Sequence, residues 1–126
     1  ILCGDFEQTE KYAEKNVFYY LDPPYRPLTE TSTFTSYSSN GFDDIEQIRL
    51  RNFCNRISEY KSIFIESNSD PQNVNTSDLF FDKLYEVFNI KRVSATRVIN
   101  SKGNSRGSIS EIMISNIKDI HKYERF

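Results

Sequence analysis

“FYYLDPPYRPL” (residues 18–28) is an apolar, aromatic strand pattern that ends abruptly in two prolines. The continuous apolar run at residues 17–21 predicts a strand that is buried on both faces. A residue that precedes proline is driven to extended geometry, and proline itself has a fixed φ and no N–H. The segment after the strand therefore offers two acceptors on a stiff frame, the Asp22 carboxylate and the Pro23 carbonyl, beside the flat ring of Tyr25.

Two fixed acceptors and an aromatic ring match an exocyclic amino group on a planar base. The lone pair of such an amine is delocalised, and hydrogen bonds from both N–H groups to Asp22 and Pro23 would free it for attack. Asp22 would also stabilise the positive charge that develops on nitrogen, and stacking on Tyr25 would hold the base in place. The alternative is that Pro23 and Pro24 only form a turn, with Tyr25 packed in the core.

Outward from this segment, strands alternate with helices along the chain. Asp5 has the features of an N-cap with Gln8 as its capping-box partner, and Asp43 and Glu46 begin a second helix. The apolar patterns predict, in order, an apolar stub at 1–3, a helix at 5–15, a strand at 17–21, a long loop at 26–41, a helix from about 44, a strand at 62–67, a helix at 77–88, and strands at 90–98 and 111–115.

Alternating strands and helices that close in a hairpin predict an α/β fold whose sheet is mostly parallel, with antiparallel pairing at its C-terminal hairpin. Ligands of such sheets bind beyond the carboxyl ends of the strands. Residues 22–25 and 68–70 both fall at such ends, where Asp70 is interpreted as support for the active site, with a helix cap as the alternative. The second helix is predicted to face the core through its apolar residues: Ile45, Ile48, Leu50, Phe53, Cys54 and Ile57.

The composition indicates one small domain without a general affinity for nucleic acid. A length of 126 residues allows a single core, and a net charge of −2 restricts any DNA contact to a local patch. Cys3 and Cys54 fit neither a metal pattern nor a disulfide framework. The stretch 87–110 has no acid, and its bases suit either phosphate contact or a solvated strand pair: Lys91, Arg92, Arg97, Lys102 and Arg106.

Four segments, in order, give the chain a resemblance to the C-terminal half of DNA adenine-N6 methyltransferases. The closest likeness is to the Dam type (D12 class), which methylates adenine in GATC. The segments are GDF at 4–6, DPPYRPLTETSTFTSYSSNGF at 22–42, IESNSD at 65–70 and INSKGNSRGSISEIMISN at 99–116. The resemblance implies a Rossmann-like methyltransferase sheet, S-adenosylmethionine as methyl donor, double-stranded DNA as substrate and a bacterial-type cytoplasmic, nucleoid-associated enzyme.

The resemblance also implies roles for individual residues. The catalytic residues would be Asp22, Pro23, Pro24 and Tyr25, and the cofactor would be bound by Asp5, Phe6 and Asp22. DNA or the target base would be contacted by Arg26, Phe34, Tyr37, Lys102 and Arg106. For three of these the sequence leaves alternatives: Arg26 meets a phosphate or pairs with an acid, and Phe34 and Tyr37 line the base pocket or simply pack.

The chain also departs from the family pattern. The glycine-rich cofactor loop, Phe-x-Gly-x-Gly, is absent, because the four glycines of the chain lie elsewhere. Residues 1–126 are therefore interpreted as a partial catalytic domain that lacks this loop and the target-recognition region. In the family's strand order, 3-2-1-4-5-7-6, the stub at 1–3 would be detached from its neighbours, and the strand at 17–21 would have an open edge that invites self-association.

Two other classes of function stay open from the sequence. The first is a methyltransferase that acts on another planar amine, such as cytosine N4, an RNA base or a protein glutamine. The second is a folded but non-catalytic fragment that binds DNA weakly or associates with itself. In either case the isolated chain is expected to be inactive, because half of the cofactor pocket is missing.

Overall fold

The computed structural model of the chain describes residues 1–29, 41–95 and 108–118. Two 3₁₀ helices, two α-helices and four strands form these parts of the chain. In order, they are a 3₁₀ helix at Phe6–Tyr12, β1 at Phe18–Leu21, α1 at Asp44–Glu59, β2 at Ile63–Ser69, a second 3₁₀ helix at Pro71–Asn73, α2 at Phe80–Leu84, β3 at Asn89–Ala95 and β4 at Ile109–Ser115.

The four strands form one mixed sheet in the order β1-β2-β4-β3. β1 and β2 are parallel, with Tyr20 opposite Ile65, whereas β4 pairs antiparallel with both β2 and β3. This confirms the α/β fold with an antiparallel C-terminal hairpin, and among the described strands only the β1–β2 pair is parallel. The order is the one expected for the last four strands of the family's sheet. Residues 1–3 form no strand, and β1 is an edge strand of the described sheet. Self-association of the chain through this edge stays a prediction.

The first helix is shorter and tighter than the sequence predicted. Asp5 is its N-cap, as expected, but its carboxylate accepts from the Glu7 N–H at 2.9 Å. Gln8 instead donates its backbone N–H to the Asp5 carbonyl at 3.1 Å. Asn16 then adopts a left-handed conformation, with φ of 76°. Such a residue cannot continue a helix, so the chain turns there and enters β1.

Asp43 is the N-cap of α1, as predicted, and its side chain accepts a hydrogen bond from the Glu46 N–H at 3.0 Å. Its predicted core face was partly wrong, because Ile45 is 72% exposed and Ile48 is 40% exposed. The buried stripe follows a spacing of three and four residues, which turns positions 45 and 48 to the opposite side of the helix. This stripe consists of Gln47, Leu50, Phe53, Cys54 and Ile57.

Aromatic rings join the first 3₁₀ helix, α1 and β1 into one core. Phe53 forms T-shaped pairs with Phe6 and Tyr19, with ring centroids 5.3 and 5.7 Å apart. The Phe64 ring of β2 forms another T-shaped pair with Phe88, which follows α2, at 5.0 Å. The fully or nearly fully buried apolar residues are Leu50, Phe53, Cys54, Ile57, Phe64, Phe81, Tyr85, Ile112 and Ile114.

Two further expectations about burial and length were wrong. β1 is not buried on both faces, because Phe18 is 56% and Tyr20 is 66% exposed. Strand alternation places these two rings on the face of the sheet opposite to Tyr19, which packs against Phe53 of α1. The helix predicted at 77–88 is limited to α2, which ends at Leu84, and Val87 beyond it is 73% exposed. In the described ranges, no helix has the length and apolar character needed to cross a membrane.

We expect Phe53→Ala to lower the free energy of unfolding by about 3–5 kcal/mol, because it leaves a cavity beside the Phe6 and Tyr19 rings. Ile45→Ala, in the same helix, should change it by less than about 0.5 kcal/mol, because the Ile45 side chain is already largely in water. Urea unfolding followed by circular dichroism measures both variants. Equal losses for the two would contradict the orientation of α1 described here.

Candidate active site

The motif at residues 22–25 lies at the carboxyl end of β1, next to the end of the parallel strand β2. Parallel neighbours finish at the same edge of a sheet, and ligand sites form there. The Ser67 hydroxyl of β2 donates to the Asp22 carboxylate at 3.3 Å. The sequence therefore correctly placed residues 22–25 and 68–70 at neighbouring strand ends.

A cavity of about 290 Å³ opens beside this motif. Apolar and aromatic groups form most of its wall, and Asp22 is the acidic side chain among its lining residues. The complete lining is Phe6, Tyr20, Leu21, Asp22, Pro23, Pro24, Phe42 and Leu50. Such a site suits a flat, largely apolar group that carries a polar or positively charged atom near Asp22.

The Tyr25 ring is not sealed in the core, since 39% of the residue is exposed. Its hydroxyl donates to the Glu111 carboxylate of β4 at 3.3 Å. Partial burial raises the pKa of this hydroxyl, and the nearby Glu111 charge acts in the same direction. Tyr25 is therefore tethered at its hydroxyl while part of its surface stays accessible to a ligand.

Arg26 is held by acids in the folded chain. Its guanidinium lies 2.8 Å from the Asp44 carboxylate and 3.3 Å from that of Asp78, over the Phe80 ring at 4.1 Å. The hydrogen bond to Asp44 is the main cause of the raised pKa of Arg26. Of the two alternatives left open by the sequence, the ion pair is present, and a phosphate contact by Arg26 stays a prediction.

Asp5 and Phe6, the predicted cofactor-binding pair, lie at the cavity in different ways. Phe6 lines the cavity, whereas the Asp5 carboxylate receives two hydrogen bonds from Arg49, at 2.9 and 2.7 Å. These bonds are the largest cause of a pKa lowered to about 2 for Asp5. The Arg49 guanidinium also lies over the Phe6 ring at 4.3 Å. Asp5 is thus close to the cavity but already partnered.

Asp70 links strands rather than contacting the motif. It caps the second 3₁₀ helix by accepting from the Gln72 N–H, and it pairs with Arg92 of β3 at 3.0 Å. Arg92 also pairs with Asp82 at 2.9 Å, so two acids occupy its guanidinium. The other predicted contacts to DNA or the base, Phe34, Tyr37, Lys102 and Arg106, lie outside the described residues.

Sequence reasoning missed a buried polar cluster behind the motif. Glu66 is completely buried and accepts from the Tyr85 hydroxyl at 2.6 Å and from the Asn68 amide at 3.5 Å. Removal from water raises the pKa of Glu66 to about 7. Its position could have been found from strand alternation, because residue 66 shares a face with buried Phe64.

Comparison with known proteins agrees with this arrangement. The family described as D12 class N6 adenine-specific DNA methyltransferase matches residues 1–99. A type II methyltransferase, M.MjaIII of Methanocaldococcus jannaschii, is 48% identical over 92% of this chain and 38% of its own length. M1.LlaDCHI of Lactococcus lactis subsp. cremoris, also a type II methyltransferase, is 42% identical over 92% of this chain and 38% of its own length.

A DNA adenine methylase of Haemophilus influenzae is 33% identical over 89% of this chain and 37% of its own length. The α/β fold of the chain is consistent with that of a methyltransferase. The chain belongs to the D12 class of N6 adenine-specific DNA methyltransferases. It spans about two fifths of the length of these curated relatives.

We expect Glu66→Gln to gain stability relative to the wild type as the pH rises from about 4.5 to about 7. Over this range the unfolded wild type releases the Glu66 proton while the folded protein retains it, so wild-type stability falls. The relative gain should be on the order of 1–3 kcal/mol and complete above the folded-state pKa. Urea unfolding of both proteins near pH ~5 and pH ~8 measures it, and an unchanged difference would contradict the raised pKa.

Proposed function

We propose that the protein carrying this chain transfers a methyl group from S-adenosylmethionine to N6 of adenine in double-stranded DNA. Family membership supports the reaction. The observation that supports roles for particular residues is that Asp22 lines a cavity while Tyr25, three residues on, is 39% exposed. The resemblance adds GATC as the target sequence, an adenine swung out of the duplex and a cytoplasmic, nucleoid-associated enzyme.

In this proposal, the corner at residues 22–25 prepares the adenine amino group for attack. The Asp22 carboxylate and the Pro23 carbonyl accept its two N–H groups, which favours a pyramidal nitrogen with a free lone pair. Asp22 then stabilises the positive charge that develops on that nitrogen. Tyr25 stacks on the base and holds it in line with the methyl donor.

The residues around the cavity fit S-adenosylmethionine in part. The apolar wall, including Phe6, suits its flat adenine, and Asp22 suits its positive charge. Asp5 would accept a hydrogen bond from the adenine amino group of the cofactor only by giving up part of its pairing with Arg49. When bound, the cofactor would supply the methyl group: its S–CH3 bond would break as the N–CH3 bond forms, the neutral thioether would leave, and the displaced N6 proton would pass to water.

The DNA-binding residues are proposals of the same kind. Lys102 and Arg106 would contact phosphates, and Phe34 and Tyr37 would line the pocket of the flipped base. Arg26 would join them only by exchanging Asp44 or Asp78 for a phosphate. The family match favours adenine over the alternatives of cytosine N4, an RNA base or a protein glutamine.

We expect Asp22→Ala in the naturally encoded protein to lower kcat for DNA methylation by about 10²–10³-fold, since it removes the charge aimed at the transition state. Glu59→Ala is the control, because it removes an exposed acid at the far end of α1. Mass identification of the methylated nucleoside in digested DNA distinguishes N6-methyladenine from N4-methylcytosine. Near-normal methylation by Asp22→Ala would refute the role of Asp22, and a methylated cytosine would refute the choice of base.

We expect the 126-residue chain on its own to bind S-adenosylmethionine more weakly than micromolar and to transfer no methyl group. The reason is that its sequence contains no Phe-x-Gly-x-Gly loop, whose backbone N–H groups approach such ligands closely. Titration calorimetry with the cofactor measures the affinity, and the naturally encoded protein is the comparison. Micromolar binding by the isolated chain would show that residues 1–126 already form a sufficient pocket.

A further inference from the structure

The corner at residues 22–25 has few means of fixing its own position. Pro23 and Pro24 carry no N–H, so no sheet ladder can continue through them. The Pro24 carbonyl instead accepts a hydrogen bond from the Gln47 side chain of α1, with Nε2 and O separated by 3.2 Å. Gln47 is completely buried, so this bond has little competition from water.

The direction of this hydrogen bond is fixed by a second buried amide. The Asn68 Oδ1 accepts two backbone N–H groups, from Arg26 at 3.0 Å and from Ser69 at 2.9 Å. Because backbone N–H groups can only donate, the Asn68 Nδ2 must be the donor to Gln47 Oε1, at 3.1 Å. Gln47 therefore has its Nε2 left to face the Pro24 carbonyl, and its amide cannot be flipped without breaking a bond.

The hydrogen bonds that run from Asn68 through Gln47 to the Pro24 carbonyl are anchored in the core at Asn68. Asn68 Nδ2 also lies 3.5 Å from Glu66, whose other oxygen accepts from Tyr85. On the far side of the corner, the Ser69 hydroxyl donates to the Arg26 carbonyl at 2.6 Å. The main chain from Pro24 to Arg26 is thus held by side chains of α1 and β2.

We propose that Gln47 is a positioning residue for methyl transfer, which acts by holding the Pro24 carbonyl and so the orientation of Asp22 and Pro23. This proposal rests on the proposed function. Gln47 would not touch the base. Its effect comes from geometry, because a displacement of about 1 Å in a reacting group costs about a hundredfold in rate.

Gln47→Glu is the sharpest test, because it retains shape and exchanges the donor for an ionisable acid. A protonated carboxylic acid donates to the Pro24 carbonyl, whereas a carboxylate repels it; burial raises the pKa of that acid into the working range. In the naturally encoded protein, the ratio of variant to wild-type kcat should be near one at low pH and fall about tenfold or more as the pH rises. KM for DNA should change less than kcat.

Titratable groups already near Gln47 do not account for a pH dependence of the ratio of variant to wild-type kcat. Glu66 and Tyr85 lie beyond Asn68, and the Cys54 thiol lies 4.0 Å from Glu66. The motif itself contributes Asp22, Tyr25 and Arg26. All six groups are present in both proteins, so their direct effect on rate largely cancels.

Two further variants separate positioning from general stability. Gln47→Met keeps the length but makes neither hydrogen bond, so its kcat should be low by about tenfold or more at every pH. Ile57→Val removes one methylene from the same buried face of α1, away from the corner, and costs about 0.5–1.5 kcal/mol of stability. Its kcat should match the wild type, and thermal unfolding of each variant confirms that the assayed protein is folded.

The proposal would be overturned if the ratio of Gln47→Glu to wild-type kcat did not change with pH, or if the kcat of Gln47→Met were within about twofold of wild type. A wild type that methylates no adenine, or an active Asp22→Ala, would instead refute the proposed function and this inference with it. The two failures are therefore distinguishable.

Discussion

The hydrogen bond from Gln47 to the Pro24 carbonyl is the constraint on which the site depends. Two successive prolines make the corner stiff and contribute no N–H of their own, so side chains of neighbouring elements hold its main chain. Gln47 of α1 donates to the Pro24 carbonyl, and Asn68 of β2 accepts the Arg26 N–H just beyond the corner, both from buried positions. The geometry of the corner is therefore set by how α1 packs on the sheet. Core aromatic contacts such as Phe53 with Tyr19 consequently support the site as well as the fold.

The polar cluster behind the corner has a stability cost. Folding removes the Glu66 side chain from water, and this desolvation raises its pKa to about 7. Its hydrogen bonds to Tyr85 and Asn68 offset part of the desolvation. Each amide in the cluster uses both its donor and its acceptor, so one orientation is specified and the alternatives would leave a buried group without a partner. A buried network of this kind gives up some stability for a unique arrangement at the strand ends.

The described arginines around the site are largely committed to acids of the same chain. Arg26 pairs with Asp44 and Asp78, and Arg92 pairs with Asp70 and Asp82. A basic residue in the sequence therefore does not translate directly into positive surface. The net charge of −2 agrees with this balance. The proposed phosphate contacts consequently concentrate in the segment between β3 and β4, where Lys102 and Arg106 lie.

The sequence by itself determined the local features: the end of β1 at the prolines, the N-caps at Asp5 and Asp43, and the placement of the motif at the sheet's carboxyl edge; the strand order was implied only by the family resemblance. These follow from sterics, capping and periodicity within a few residues. Tertiary structure decided which side of α1 is buried, that β1 exposes Phe18 and Tyr20, and that Gln47 and Asn68 meet the corner. The physical reason is that such contacts join residues more than 20 positions apart, and their partners are fixed only when helix and sheet pack together.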